Sequence, residues 1–151
     1  MSIGIEASGC PNACKHCGVD GRPTCGEIYS LQELREIAKE WGPLVYLHEP
    51  TAHPQFPEIF APEIGVEYEG HLPTCGYGIS QSEDYKSFLK RMTTHGFKIL
   101  HFTFHGMREH HDWFVGRDGA YDDIVVATRR AREAGYQITW QLFVDRKGLV
   151  D

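Results

Sequence analysis

The sequence predicts an α/β fold, a parallel sheet of about five short strands with alternating helices. Two observations carry that reading. Short apolar or alternating segments recur at residues 3–7, 44–47, 67–79, 98–105 and 136–144, with amphipathic stripes between most of them. The residues that carry chemistry fall just after strands, at the carboxyl end where parallel α/β folds bind ligands. Crossovers between the strands are expected to be right-handed.

Ile3, Ile5 and Ala7 alternate with Gly4, Glu6 and Ser8, the period of two of a short strand. A loop rich in glycine and cysteine follows and runs to Gly26. Ser30 and Glu33 then form a capping box, and Leu31, Leu34, Ile37, Ala38 and Trp41 give the first helix its buried stripe. Gly42 and Pro43 end it. Leu44 to Leu47 make the second strand, which runs into His48-Glu49-Pro50. From Phe56 to Ile64 a helical stretch is broken by Pro57 and Pro62. Residues 67–79 read as a third strand with its exit loop, and a helix starting near Ser80 or Ser82 buries Tyr85, Phe88, Leu89 and Met92 before stopping at Gly96.

In the fourth strand, Lys98 to His105, Leu100, Phe102 and Phe104 point one way while Ile99, His101, Thr103 and His105 point the other. An apolar face that packs on helices and a polar face that lines an interior suit a ligand-holding barrel. Residues 109–121 lead into a helix striped by Ile124, Ala127, Thr128, Ala131 and Ala134 and closed by Gly135. In the last strand Tyr136, Ile138, Trp140, Leu142 and Val144 share one face and Gln137, Thr139 and Gln141 the other. Such a strand left as an open edge is an association hazard, so a homodimer or a partner chain is expected there.

A chain of 151 residues reads as one domain, 1–151, with core enough to need no disulfides. The net charge of −6 argues against a nucleic-acid backbone or an anionic membrane as partner. No stretch approaches the roughly 20 apolar residues of a membrane span, and no basic-then-apolar leader opens the sequence, so a cytoplasmic protein is expected. Five cysteines in a reducing compartment read as metal ligands before bridges.

Three of those cysteines stand in the run Cys10-Pro11-Asn12-Ala13-Cys14-Lys15-His16-Cys17, a C-x3-C-x2-C spacing. An odd number of thiols leaves one unpaired as disulfides. Three thiolates on an iron–sulfur cube leave one iron free, and an open metal position is the mark of chemistry rather than scaffolding. Two blander readings stand beside this one. Cys10, Cys14, Cys17 and Cys25 have the thiolates for a tetrahedral zinc ion, and Cys14 with Cys17 has the spacing of a C-x-x-C redox pair. Cys75 has no cysteine near it and reads as a lone core or loop thiol. The nine histidines include His101, His105 and the adjacent His110-His111, but no H-E-x-x-H pattern supports a second metal.

At the cysteine run the sequence resembles the radical S-adenosylmethionine (radical SAM) superfamily, with His16 in the place where that family usually carries an aromatic residue. A second likeness lies at the end of the second strand. Relatives carry Gly-Gly-Glu-Pro there; Glu49 and Pro50 keep their places, while Leu47 and His48 replace the glycines. The following Thr51 to Phe56 is also similar to the family's continuation. In the fourth strand Thr103 and His105 stand where relatives show Ser-Leu-Asp-Gly. Residues 109–121 resemble the His-Asp, Gly, Gly, aromatic run of peptide-modifying branches, with Val115 where an arginine often stands.

The resemblance implies a [4Fe-4S] cluster on Cys10, Cys14 and Cys17, with S-adenosyl-L-methionine chelating the fourth iron. Glu49 and its neighbouring backbone would receive the methionine amine, and His16, Pro50, Thr103 and His105 would complete the cofactor site. One electron from an external donor would cleave SAM to a 5′-deoxyadenosyl radical that takes hydrogen from a substrate. Polar Gln137, Thr139, Gln141 and His101 suggest a polar small molecule or a peptide as that substrate. The implied fold is an incomplete (partial) TIM-like barrel, since four strand–helix units and a fifth strand stand against the family's six. That shortfall keeps a second reading open, a truncated or partner-dependent iron–sulfur module without turnover. A structural zinc-binding protein is the third.

Overall fold

The computed structural model describes residues 3–19, 21–22, 28–65 and 69–146. In order they form β1 (Ile3–Ile5), α1 (Leu31–Trp41), β2 (Leu44–Tyr46), 3-10 turns at Pro50–Ala52 and Glu58–Phe60, β3 (His71–Pro73), α2 (Tyr77–Gln81), α3 (Tyr85–Thr94), β4 (Ile99–Phe104), α4 (Arg108–Val115), α5 (Ala120–Glu133) and β5 (Gln137–Leu142). Every strand pairing is parallel, as the alternation of strands and helices predicts.

The five strands do not form one sheet. β1 pairs with β2, and β3, β4 and β5 form a second sheet in that order. The break has a local cause. Leu44 donates its N–H to Ile64 O at 2.7 Å and bridges Gly65, so part of the far edge of β2 is taken by the turn that precedes β3. Tyr46 adds a buried 2.5 Å hydrogen bond from its hydroxyl to Ile59 O. The apolar segment around Pro57 and Pro62 is thus core packing between the sheets, with Phe56, Ile59 and Ile64 buried.

α1 begins as its sequence dictates. Ser30 Oγ accepts from Glu33 N, and Glu33 Oε2 accepts from Ser30 N at 2.7 Å. Leu34 and Ala38 are buried, whereas Trp41, at the helix's last turn, is exposed and does not extend the stripe. The third strand is shorter than expected, only His71–Pro73, and Glu67 lies outside the described residues. Tyr77–Gln81 is helical rather than an exit loop. A side chain on Gly78 would collide with Thr51 O, so only glycine lets α2 lie against the turn after β2. α3 is capped by Asp84, whose carboxylate accepts from Ser87 N, in place of the serines suggested by the sequence.

β4 behaves as its alternation predicts. Leu100 and Phe102 are fully buried, joining Ile124, Ala127 and Ala131 of α5 and Leu89 and Met92 of α3 in one core. The run expected to lead into a helix at 109–121 itself begins with one, α4, before the turn at Gly116, and its His110 and His111 are buried. β5 has no strand on its outer side among the described residues, and Trp140, Leu142 and Val144 on its apolar face are exposed. No described helix is long and apolar enough to cross a membrane.

Candidate functional site

The carboxyl ends of the strands open on one cavity of about 260 Å³. Cys10, Cys14, His16 and Cys17 from the loop after β1, Glu49 after β2, Thr74 and Cys75 after β3, and His101, Thr103 and His105 from β4 all line it. Of the polar residues expected to face a substrate, His101 lines the cavity, whereas Gln137, Thr139 and Gln141 of β5 do not and are exposed. Pro50 is the exception among the residues expected to hold the cofactor. It is buried and opens the 3-10 turn behind the cavity, where a proline at the first helical position loses no hydrogen bond.

The cysteine loop is bound at both ends to its neighbours. Cys10 N donates to Arg22 O at 3.1 Å, and Glu49 N donates to Gly9 O at 3.2 Å. Ser8 Oγ reaches Glu49 O at 3.1 Å, so the starts of the two site loops are tied together. Gly21 N donates to Cys17 Sγ at 3.1 Å. A Cβ on Gly21 would lie 3.3 Å from that sulfur, 3.4 Å from Cys10 Cβ and 3.5 Å from the His48 ring, so the loop closes tightly around the thiols. Burial pushes the Cys10 thiol up to about 12 and the Cys14 thiol to about 11. Thiols this desolvated ionise when a cation takes them as ligands.

Three thiols of one loop on a shared cavity are a donor set of the kind that holds an iron–sulfur cluster. Among the described residues no three Cys, His, Asp or Glu side chains converge as one ion requires. A cube takes each thiolate on a different corner, so its ligands stand farther apart. The amide on Cys17 Sγ and the glycine-sized gap beside it suit such a group, because hydrogen bonds to the sulfurs tune these clusters. Cys25, the fourth thiol of the zinc alternative, lies outside the described residues.

Glu49 is a staple between the two sheets. Its Oε1 accepts from Thr51 N at 3.2 Å and from the hydroxyls of Thr51 and Thr74 at 2.6 Å each. Its Oε2 accepts from Cys75 N at 2.6 Å and keeps lone pairs toward the cavity. The replacement of glycine by His48 is accommodated by turning the ring under the cysteine loop, where Nε2 lies 3.3 Å from Val19 O.

His105 has a wall of rings around it. It stacks on Phe114 at 4.2 Å and on Phe143 at 5.5 Å, and His16 tilts against it at 4.7 Å. Its backbone N–H donates to His111 Nδ1 at 3.2 Å, and no described residue pairs with its buried Nδ1. Burial, then the imidazoles of His16, His111 and His110, lowers its pKa to about 4. Burial also lowers His111 and His53; His53 Nδ1 accepts from Gln55 N and its Nε2 faces Tyr29 O at 2.8 Å.

A pH effect follows. Each of these histidines binds a proton more weakly folded than unfolded, so each contributes stability that is fully present above the ordinary histidine value and lost as pH falls, for His105 through about 4. For His105 alone the loss is on the order of 2–3 kcal/mol. Denaturant titrations of the cluster-free protein at pH 7 and pH 5 should show a lower midpoint at pH 5. Equal midpoints would contradict the buried neutral histidines.

Several wall residues carry no signal in the sequence. Thr74 and Cys75 sit on the cavity because β3 ends there, so the strand-end rule finds them only once β3 is placed at residues 71–73. Cys75 is therefore a cavity thiol rather than an isolated one, and burial, with Glu49 and Cys10 beside it, holds its pKa well above the usual thiol value. Asn12, His111 and Phe143 also line the cavity.

The family model described as the Radical SAM superfamily matches residues 7–145, a span that holds all of these wall residues. This chain belongs to the radical SAM superfamily. A solved structure described as "Native anSMEcpe with bound AdoMet" matches with a TM-score of 0.55 at 17% identity. The match covers 92% of this radical SAM chain and 43% of that one, so the chain spans less than half the length of the structure it resembles. At that identity the likeness concerns the fold. No curated protein matches.

Proposed function

We propose that this domain, residues 1–151, is a radical SAM core that holds a [4Fe-4S] cluster on Cys10, Cys14 and Cys17 and binds S-adenosyl-L-methionine beside it. One observation carries the reading: the three thiols of a single loop share a cavity with the Glu49 carboxylate at the carboxyl ends of parallel strands. The bound AdoMet of the solved structure of like fold supports it. When bound, the cluster and SAM would supply the one-electron cleavage of a sulfonium bond, with an external donor as the electron source.

The chain's own residues bind, orient and shield. Glu49 Oε2 offers an acceptor for an ammonium group, held in place by the donors already on Oε1. Thr103 and His101 present polar atoms from β4, and the rings of His16, Phe114 and Phe143 lie together along one side. His105 stays neutral, and its ring is fixed by stacking rather than free to move. The wall includes hydroxyl, imidazole and carboxylate groups, which supports a polar or peptide-like substrate.

Anaerobic reconstitution with iron and sulfide, followed by reduction with SAM present, tests the proposal. Brown protein that yields 5′-deoxyadenosine is the expected result. Colourless protein carrying stoichiometric zinc would overturn it. A second reading is favoured by the Glu49 staple, whose carboxylate already accepts from four donors. It is a partner-dependent cluster module, and it predicts a brown protein that leaves SAM intact.

A further inference from the structure

We propose that Arg117 is a positioning residue that sets the shape of the cysteine loop by clamping Asn12 to Asp123. The inference rests on the reading of that loop as the cluster's cradle. Asn12 stands between Cys10 and Cys14 and is 4% exposed. Its Oδ1 accepts from Arg117 Nε at 2.7 Å. The other arm of the guanidinium, Nη2, forms an ion pair with Asp123 Oδ2 at 2.6 Å, at an angle outside hydrogen-bond geometry. Asp123 is itself buried in the first turn of α5, and its Oδ1 accepts from Ser80 Oγ at 2.5 Å and from Gln81 Nε2 at 2.8 Å. The loop that carries the thiols is thereby linked through one side chain to α5 and to α2. Tyr77, at the start of α2, lies under the guanidinium at 5.3 Å.

The backbone around Arg117 grips the same loop. Ala13 N donates to Val115 O at 2.8 Å and Lys15 N to Phe114 O at 3.0 Å, which uses carbonyls at the end of α4 that have no partner within their helix. Gly116 at φ 68 lies so close that a Cβ there would be 3.0 Å from Ala13 O. Lys15 Nζ sits 4.6 Å over the Trp113 ring. Within the loop itself the Cys17 N to Cys14 O bond, at 3.0 Å, is a single tight turn. The external grip therefore decides how the sulfurs of Cys10 and Cys14 are presented. Arginine suits the role because its rigid planar group sets Nε on Asn12 while its charge faces Asp123, a geometry a lysine ammonium does not reproduce.

Two variants separate the clamp from a plain buried ion pair. Asn12→Ala removes the acceptor on the loop and leaves Arg117 with Asp123. Arg117→Lys keeps a charge against Asp123 and loses the second arm. In metal-free protein, maleimide labelling of Cys14 followed by mass spectrometry should run roughly tenfold faster in both variants, the size expected when one charge-assisted hydrogen bond is lost. After reconstitution, iron should leave to a chelator roughly tenfold faster, and the electron paramagnetic resonance signal of the reduced cluster should change shape. A purely structural pair would leave labelling, iron loss and line shape at the parent values in Asn12→Ala, and that result overturns the clamp. If the parent takes up no iron, the cluster reading fails on its own, and the labelling rates still decide for or against the clamp.

Discussion

Cys14→Ala is expected to strip the protein of its cluster and of SAM cleavage together. Cys14 lines the cavity and stands between its two partners in sequence, and among the described residues the loop holds no other thiol. Cys75 lies on the cavity wall at the end of β3, outside the cysteine loop, with its backbone N–H committed to Glu49. Two thiolates do not retain a cube against chelators, so iron content after reconstitution should drop to background and the visible absorption should vanish. The fold should survive, because Cys14 is half-buried in a loop and contributes little to the apolar core. Far-ultraviolet circular dichroism with a parent-like spectrum would establish that. A Cys14→Ala protein that still cleaves SAM would refute the ligand assignment outright.

The second large effect is at Glu49, where two roles meet on one carboxylate. Glu49→Ala removes the acceptor of two backbone N–H groups and two hydroxyls in a buried setting. The hydroxyls rotate to other acceptors, but the N–H groups of Thr51 and Cys75 do not, and each unpaired donor costs roughly 1–3 kcal/mol. Denaturant titration should therefore show a loss of about 2–5 kcal/mol, and the two sheets should separate more easily. Glu49→Gln keeps the shape and one carbonyl oxygen, so it should lose less stability. It removes the negative charge, and SAM binding followed by calorimetry should weaken about tenfold or more if an ammonium docks on Oε2. Unchanged SAM affinity in Glu49→Gln, with stability lost in Glu49→Ala, would leave Glu49 as a staple alone.

Much of the fold is legible from local patterns because its signals are local. The capping box at Ser30 and Glu33, the stripe of α5 and the alternation of β4 each depend on residues within a turn or two, and each is found where its pattern lies. α4 escapes such reading because its His110-His111-Asp112 run has no apolar stripe; His111 is buried against Phe104, His105 and Tyr121, partners that periodicity does not reveal. The short β3 escapes for a related reason, since three residues are too few for a period. Trp41 fails in the other direction, an apolar residue on the right face of α1 that sits one turn beyond the core.

What the sequence by itself determined is the covalent arithmetic of the site: the spacing of Cys10, Cys14 and Cys17, the Glu49-Pro50 pair after an apolar strand, and the strand–helix alternation that sends both to one end. Such features are fixed by bonds and by nearest neighbours along the chain. Tertiary structure alone decided that the sheet divides between β2 and β3, that Glu49 bridges the gap, that Cys75 and His111 join the cavity, and that Arg117 holds the cysteine loop from across the chain. Those depend on hydrogen bonds between residues as far apart as Asn12 and Arg117, whose pairing is set only once the strands and helices have packed and buried polar groups must find partners.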